Sequence, residues 1–338
     1  MAVITHGAKI VYPAEIFDPR ATLKSICDEQ CTAVHGVPAM FDSLLALPEA
    51  KNLEPSKLSL RTGIIAGAPV PRYLMEQLVA RLGMTEFTSS YGLTEASPTC
   101  FNAFTDDPID TRLTTVGTVM PHAHAKIVDR DGHIVPVGVR GELCMGGYQL
   151  QAGYWNNSEK TAEVMRRDEF GTLWLHTGDE AVFDERGYCT ITGRFKDIII
   201  RGKCSSSRRP TATTIRESNQ AVIIIGGENI YPLEIEEQLM AHPALGLAVV
   251  VGLKDAHYGE VVGAFLGADN GHPRPTDDDV RDWVRRKLGK HKAPTHLFWL
   301  GVDGVPNQVP LTGSGKVRKF EIAQLGNKLL EARTASKL

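Results

Sequence analysis

The chain has 338 residues, 42% of them hydrophobic and 23% charged, with a formal net charge of −3. These proportions suit a globular protein with core enough for two domains, and so small a charge gives no electrostatic reason to expect nucleic acid or an anionic membrane as partner. No apolar run reaches the ~18 residues of a membrane-spanning helix, and the opening MAVITHGAKIVYP lacks the charged-then-apolar layout of a signal peptide.

Along the first ~110 residues helical and strand patterns alternate, which predicts an α/β layer. DPRATLKSICDEQ (18–30) and PAMFDSLLAL (38–47) have helical periodicity. LRTGIIAGAPV (60–70) reads as a buried strand ending in a Gly/Pro turn, and PRYLMEQLVARLG (71–83) as a helix with Pro at its start and Gly at its end. MTEF (84–87) reads as the next strand. From about 115 to 193 the pattern changes to short strands with glycine-containing turns. DRDG (129–132) and DERG (184–187) look like hairpin turns, which predicts a β-rich part. After 194 come a helix at YPLEIEEQLMAHP, strands at LGLAVVVGLKD and EVVGAFLGA, and a helix at TDDDVRDWVRRKLGK. That is a small α+β domain. The expected division is 1–194, made of an α/β part (1–112) and a β-rich part (113–194), followed by 195–338. The six cysteines, at 27, 31, 100, 144, 189 and 204, are scattered, and Cys27 and Cys31 miss C-x-x-C spacing. Free thiols in a reducing compartment are expected.

Four short motifs carry chemistry. In SSYGLTEASP (89–98), read as a polar turn, Thr94 and Glu95 set a hydroxyl beside a carboxylate, a pairing that suits a phosphate oxygen and its Mg²⁺. A plain Ser/Thr-rich loop is the competing reading. In LHTGDEAVFDERGY, Asp179 follows a glycine; its carboxylate can accept both hydroxyls of a ribose, or it is an ordinary turn aspartate. GRFKD (193–197) puts Arg194 and Lys196 at a domain edge, where a solvated charged hairpin would also fit. PLTGSGKVRKFEI (310–322) is not a P-loop. Pro310 stands where the first glycine is needed and Val317 where Ser or Thr should follow Lys316. A flexible loop bearing one lysine instead suits a point charge delivered to a phosphate during reaction.

Together with FDP (17–19), HGVPAMFDSLL, IIAGAPVP, GELCMGGYQLQAGYWNN, GRFKDIIIRG and GGENIYPLEIEEQL, these motifs resemble the adenylate-forming superfamily over nearly the whole chain. That superfamily holds acyl-CoA synthetases, luciferases and peptide-synthetase adenylation domains, and the chain looks most like the fatty acyl-CoA synthetase branch. The resemblance implies an ATP- and Mg²⁺-dependent acid–thiol ligase that forms an acyl-adenylate and then transfers the acyl group to CoA. It implies that Gly67, Ala68, Pro69, Tyr91 and Gly92 line the nucleotide and acyl site, and that Thr94 contacts the AMP phosphate. Glu95 would bind Mg²⁺, and Asp179 and Arg194 the ribose. Lys196 would be the hinge of the C-terminal domain and Lys316 the adenylation lysine, with Gly227, Glu228 and Asn229 lining the pantetheine channel. A glycine at 92 leaves open an acyl pocket that acetate-selective relatives close with Trp, or it serves only the turn.

Two features depart from the family. Its phosphate loop of SGTTGxPKG type does not occur in the sequence, so the chain is expected to be an N-terminally truncated member, and an inactive fragment is the alternative to a working ligase. A luciferase-like activity is a further alternative. Residues 203–226 interrupt a phrase that relatives run as IIIRGGENIYP. They read as a regulatory loop, a linker, or a translated intron whose removal between Gly202 and Gly226 would restore RGGEN in frame. The terminal Ser336-Lys337-Leu338 is the address read by the peroxisomal import receptor, which predicts a peroxisomal protein feeding β-oxidation or a secondary-metabolite pathway.

Overall fold

The computed structural model of the chain describes residues 5–67, 70, 72–201, 228–256, 258–269, 271–312 and 317–335. It divides into two compact units, Met1–Thr192 and Gly193–Leu338, two residues ahead of the boundary expected after 194.

The first unit opens with helices that start at prolines. In α1 (Pro19–Asp28) the side chain of Asp18 accepts the Ala21 N–H, and Leu23 and Ile26 turn inward three residues apart. α2 (Pro38–Leu45) buries Phe41, Leu44 and Leu45; α3 (Arg72–Leu82) buries Leu74, Met75, Leu78 and Leu82. These side chains pack with Ile65, Met84 and Phe87 into one core. Beside them runs a sheet in the order β1 (Ile64–Ile65), β2 (Thr88–Gly92), β3 (Thr99–Asn102), β4 (Thr118–Val119). β1 and β2 are parallel, with Ile64 opposite Thr88, and the other pairs are antiparallel.

Two sequence readings change here. The strand expected over 60–70 shrinks to two residues. MTEF is not a strand, and the extended segment is SSYG itself. The reason is Arg112, in α4 (Ile109–Thr114): it is only 6% exposed and donates to the carbonyls of Thr85, Phe87 and Asp107 at 2.8–3.0 Å. With two of its carbonyls satisfied by a buried guanidinium, this stretch needs no ladder. The parallel pairing therefore begins at Thr88.

A second sheet of the same unit has the order β5 (Ala123–Val128), β6 (Gly141–Gly147), β8 (Leu173–Phe183), β7 (Met165–Arg167), with β9 (Cys189–Arg194) also paired to β8. The two expected turns are present and built alike. Asp129 accepts the N–H groups of Asp131 and His133, and Asp184 those of Arg186 and Tyr188. A short helix, α5 (Ser158–Val164), is capped by the Asn157 side chain.

In the second unit β10 (Ile199–Arg201), β11 (Glu228–Ile230), β12 (Leu245–Asp255), β13 (Gly259–Ala268) and β14 (His296–Trp299) form one sheet, with β14 parallel to β13. Alternation along β12 and β13 splits their side chains between two cores. Val250, Val262, Ala264 and Leu266 face α6 (Pro232–Met240) and α7 (Asp277–Leu288). Val249, Val251, Val261 and Phe265 pack with Phe298 and Ile322 on the other side. α7 is fixed at its start by reciprocal bonds between Thr276 and Asp279, a capping box. The C-terminal stretch LLEARTA (329–335) belongs to α8 (Lys319–Ala335). Leu325, Leu329 and Leu330 pack on the sheet beside Ile322, and Gly326 lets the helix approach so closely that a Cβ there would lie 2.7 Å from Leu253.

Among the described residues no helix is long and apolar enough to cross a membrane. Cys27, Cys31, Cys100, Cys144 and Cys189 are free thiols, as the scatter of cysteines implied.

Candidate active site

The segment Tyr91–Glu95 leaves β2 and enters a tight loop. Leu93 N–H bonds the Pro98 carbonyl at 2.9 Å, Thr94–Ala96 make one 3₁₀ turn, and Ser97 sits at φ +57°, in the left-handed region. A side chain at Gly92 would put its Cβ 2.0 Å from the Pro98 carbonyl oxygen. That contact requires glycine at 92 for the turn, without reference to an acyl pocket.

At the start of this segment the Tyr91 hydroxyl donates to Asp179 Oδ2 at 2.5 Å. Burial, with the charge of Asp179 beside it, holds the Tyr91 phenol far above its ordinary pKa, so it remains a donor. Asp179 is 7% exposed and is presented by a heavily braced turn of β8. Gly178 has φ +71°, a conformation other residues adopt only under strain. Its N–H donates to Glu142 Oε1 at 3.2 Å, and Glu142 Oε2 lies 2.8 Å from His176 Nδ1. Thr177 Oγ1 donates to the Leu143 carbonyl at 2.8 Å and accepts the Asp179 N–H at 3.1 Å. Burial alone would raise Glu142, but the hydrogen bond and charge of His176 and the Gly178 N–H leave it lowered, so it is ionised at neutral pH.

At the end of the segment Glu95 Oε1 accepts the Tyr154 hydroxyl at 2.7 Å, and the Glu95 carbonyl accepts the Gln151 N–H at 2.9 Å. The bond to Glu95, then burial, pushes the Tyr154 phenol up to about 12. Thr94 is exposed beside it. A carboxylate fixed through one oxygen by one neutral donor keeps its second oxygen, which is a hard ligand of the kind Mg²⁺ takes. Near the same loop, Ser97, Thr99, Met120, Ala123, Tyr148 and Gln149 line a cavity of about 330 Å³, a size that fits a small ligand.

The structure thus brings Tyr91 together with Asp179, and sets Thr94 and Glu95 on the same loop. Gly67 has φ +87° at the end of β1. Arg194 is exposed at the end of β9, and Lys196 follows in a 3₁₀ turn (Phe195–Asp197), both in the second unit. Glu228 and Asn229 lie in β11, their backbones paired with Arg201 and Ile200. Ala68, Pro69, Gly227, Lys316, the segment 203–226 and Ser336-Lys337-Leu338 lie outside the described residues. Sequence reasoning missed Tyr154, Thr177 and Glu142. All three sit inside the quoted motifs GYWNN, HTGD and GELC, but their partners are distant in sequence, so no local spacing marks them.

The sequence matches the family described as AMP-binding enzyme over residues 1–155 and that of the AMP-binding enzyme C-terminal domain over 234–316. It is 70% identical to the acyl-CoA ligase sidI of Beauveria bassiana, over 99% of this chain and 54% of the relative. The chain spans about half the length of the curated relatives it matches. Among solved structures, it superposes on the amide bond synthetase McbA of Marinactinospora thermotolerans with a TM-score of 0.73 at 29% identity, covering 92% of this chain and 56% of that one. It superposes on the o-succinylbenzoate CoA synthetase MenE of Bacillus subtilis, solved with its acyl-adenylate intermediate, with a TM-score of 0.72 at 26% identity, covering 95% and 56%. The fold, the ordered motifs and these matches agree: the chain belongs to the adenylate-forming, AMP-binding enzyme family.

Proposed function

We propose that this chain serves an ATP-dependent acyl-CoA ligase that activates a fatty or related carboxylic acid. The observation that carries this reading is one short segment, Tyr91–Glu95, that holds a ribose-type acceptor at one end and a cation-type carboxylate at the other. The substrate carboxylate attacks the α-phosphorus of ATP, pyrophosphate leaves, and the CoA thiol then attacks the acyl carbonyl and releases AMP. Asp179, held by the Tyr91 hydroxyl and by its own N–H bonding Thr177 Oγ1, accepts the two ribose hydroxyls. The exposed Thr94 hydroxyl donates to a phosphate oxygen. Glu95, oriented by Tyr154, would hold Mg²⁺, which neutralises the phosphate charge that develops as pyrophosphate departs. The family resemblance assigns Gly67, Ala68 and Pro69 to the nucleotide and acyl group, Lys316 to adenylation, Lys196 to the hinge, and Gly227, Glu228 and Asn229 to the pantetheine channel. The SKL terminus addresses the protein to the peroxisome through its import receptor. The acid is left open, since Gly92 is explained by its turn.

The test is to incubate the chain with MgATP, a ladder of carboxylic acids and CoA. Carboxylate-dependent ATP–pyrophosphate exchange followed by CoA-dependent AMP release supports the ligase. Exchange with no CoA dependence points to another adenylate-forming activity, and no exchange with any acid means that this chain alone does not adenylate.

A further inference from the structure

The braces behind Asp179 hold a second set of chemistry. Glu142 and Cys144 lie two residues apart on β6, so their side chains leave the same face of the sheet. His176 on β8 is the direct register partner of Cys144. The three converge. His176 Nδ1 lies 2.8 Å from Glu142 Oε2 and 3.5 Å from Cys144 Sγ, and one donor atom from each residue falls within 4.8 Å of the others. Cys144 is fully buried, whereas the side chains of His176 and Glu142 are 15% and 26% exposed, which leaves an entry from solvent.

Each pair within the group has an ordinary structural use, because Glu142 and His176 bond one another and Glu142 also takes the Gly178 N–H. That use gives no reason for a thiol at the third corner. A carboxylate, an imidazole and a thiol around one point form a donor set for a borderline-soft divalent ion rather than for Mg²⁺ or Ca²⁺. In a tetrahedral zinc site with bonds of about 2.0–2.3 Å the donors stand roughly 3.3–3.8 Å apart, and His176 Nδ1 and Cys144 Sγ already lie 3.5 Å apart. The carboxylate and the thiolate together neutralise the ion. The other candidate group, Asp129, Asp131 and His133, lies on the surface, and Asp129 Oδ1 is already engaged by its own turn.

We propose that Glu142, Cys144 and His176 form a binding site for a thiophilic divalent cation, with Zn²⁺ the best match. Because Glu142 also holds the Gly178 N–H at 3.2 Å, an ion that draws on this carboxylate loosens the turn that presents Asp179. Bound Zn²⁺ then weakens nucleotide binding. This consequence rests on the proposed function, whereas the metal site does not.

The test uses the full chain, metal-stripped, with Cys27, Cys31 and Cys204 replaced by Ser so that these thiols do not compete. Co²⁺ titration should give one ion per chain and a near-ultraviolet thiolate-to-metal absorption. Zn²⁺ competition against a chromophoric chelator should report the affinity. Cys144→Ser should abolish the absorption and weaken Zn²⁺ at least tenfold, and His176→Gln should weaken it comparably while circular dichroism confirms that both variants fold. Absence of one-to-one binding, or binding unchanged in Cys144→Ser, overturns the site. AMP titration with and without Zn²⁺ then separates the two claims. An AMP affinity that Zn²⁺ leaves unchanged overturns the coupling alone. An intact cobalt spectrum with no AMP binding in any state counts against the proposed function and leaves the metal site standing.

Discussion

Asp42 and Tyr154 show how single side chains set the chemistry of this molecule. Asp42 lies on α2, where burial raises its carboxyl to about 6, while the Tyr73 hydroxyl, donating at 3.2 Å, pulls the other way. A carboxyl raised in the folded state binds its proton more tightly there than when unfolded, so it destabilises the fold above pH 6 and ceases to do so as the pH falls below about 4. Asp42→Asn should therefore stabilise the protein at pH 8 by on the order of 2 kcal/mol, and the gain should vanish near pH 4, as read from urea unfolding at the two pH values. A gain independent of pH would show that the charge is not the cause. Tyr154 acts on function instead. Its hydroxyl orients Glu95 at 2.7 Å, and a hydrogen bond to a charged group contributes about 1.5–3 kcal/mol. Tyr154→Phe should raise the Mg²⁺ concentration needed for half-maximal pyrophosphate exchange about tenfold while unfolding stability changes little. An unchanged Mg²⁺ requirement would remove Tyr154 from the site.

At the scale of elements, the connection from β2 to β3 is the part most tightly specified. Gly92→Ala would drive a Cβ into the Pro98 carbonyl, and no flexible side chain is there to yield. The expected cost is about 1–3 kcal/mol in urea unfolding, with exchange activity lost beyond what the stability change explains. A neutral effect would mean that the loop has room to relax. In the second unit Phe265 and Phe298 stack with ring centroids 4.6 Å apart at the centre of the core under α8. Phe298→Ala should cost about 3–5 kcal/mol. The elements that the sequence made legible are those with a regular apolar period and a marked end, such as α3, α7, β12 and β13. α8 was hidden because its leucines lie in a stretch otherwise polar, and only packing against Leu253 and Phe265 shows what they cover. MTEF misled because its strand-like residues are core anchors, with a distant buried arginine holding their carbonyls.

At the scale of the molecule, ordered motifs spread over the chain identified the family where no single motif would have done so. Their side-chain partners were not legible. Tyr91 meets Asp179, and Glu95 meets Tyr154, across gaps of 88 and 59 residues, and only folding brings such pairs together. The terminal SKL makes a prediction of its own: a fluorescent protein carrying this C-terminus should collect in peroxisomes, and deletion of Leu338 should disperse it. Diffuse signal from both would remove the targeting reading. The central claim is that the Asp179 turn reads the ribose of an adenine nucleotide, and calorimetric titration of AMP against 2′,3′-dideoxy-AMP tests it most directly. The wild-type chain should bind AMP at least tenfold more tightly, about 1.4 kcal/mol for hydroxyls hydrogen-bonded to a carboxylate, and Asp179→Asn should erase the difference. Equal binding of the two nucleotides by the wild-type chain, or a preference that survives Asp179→Asn, would contradict it.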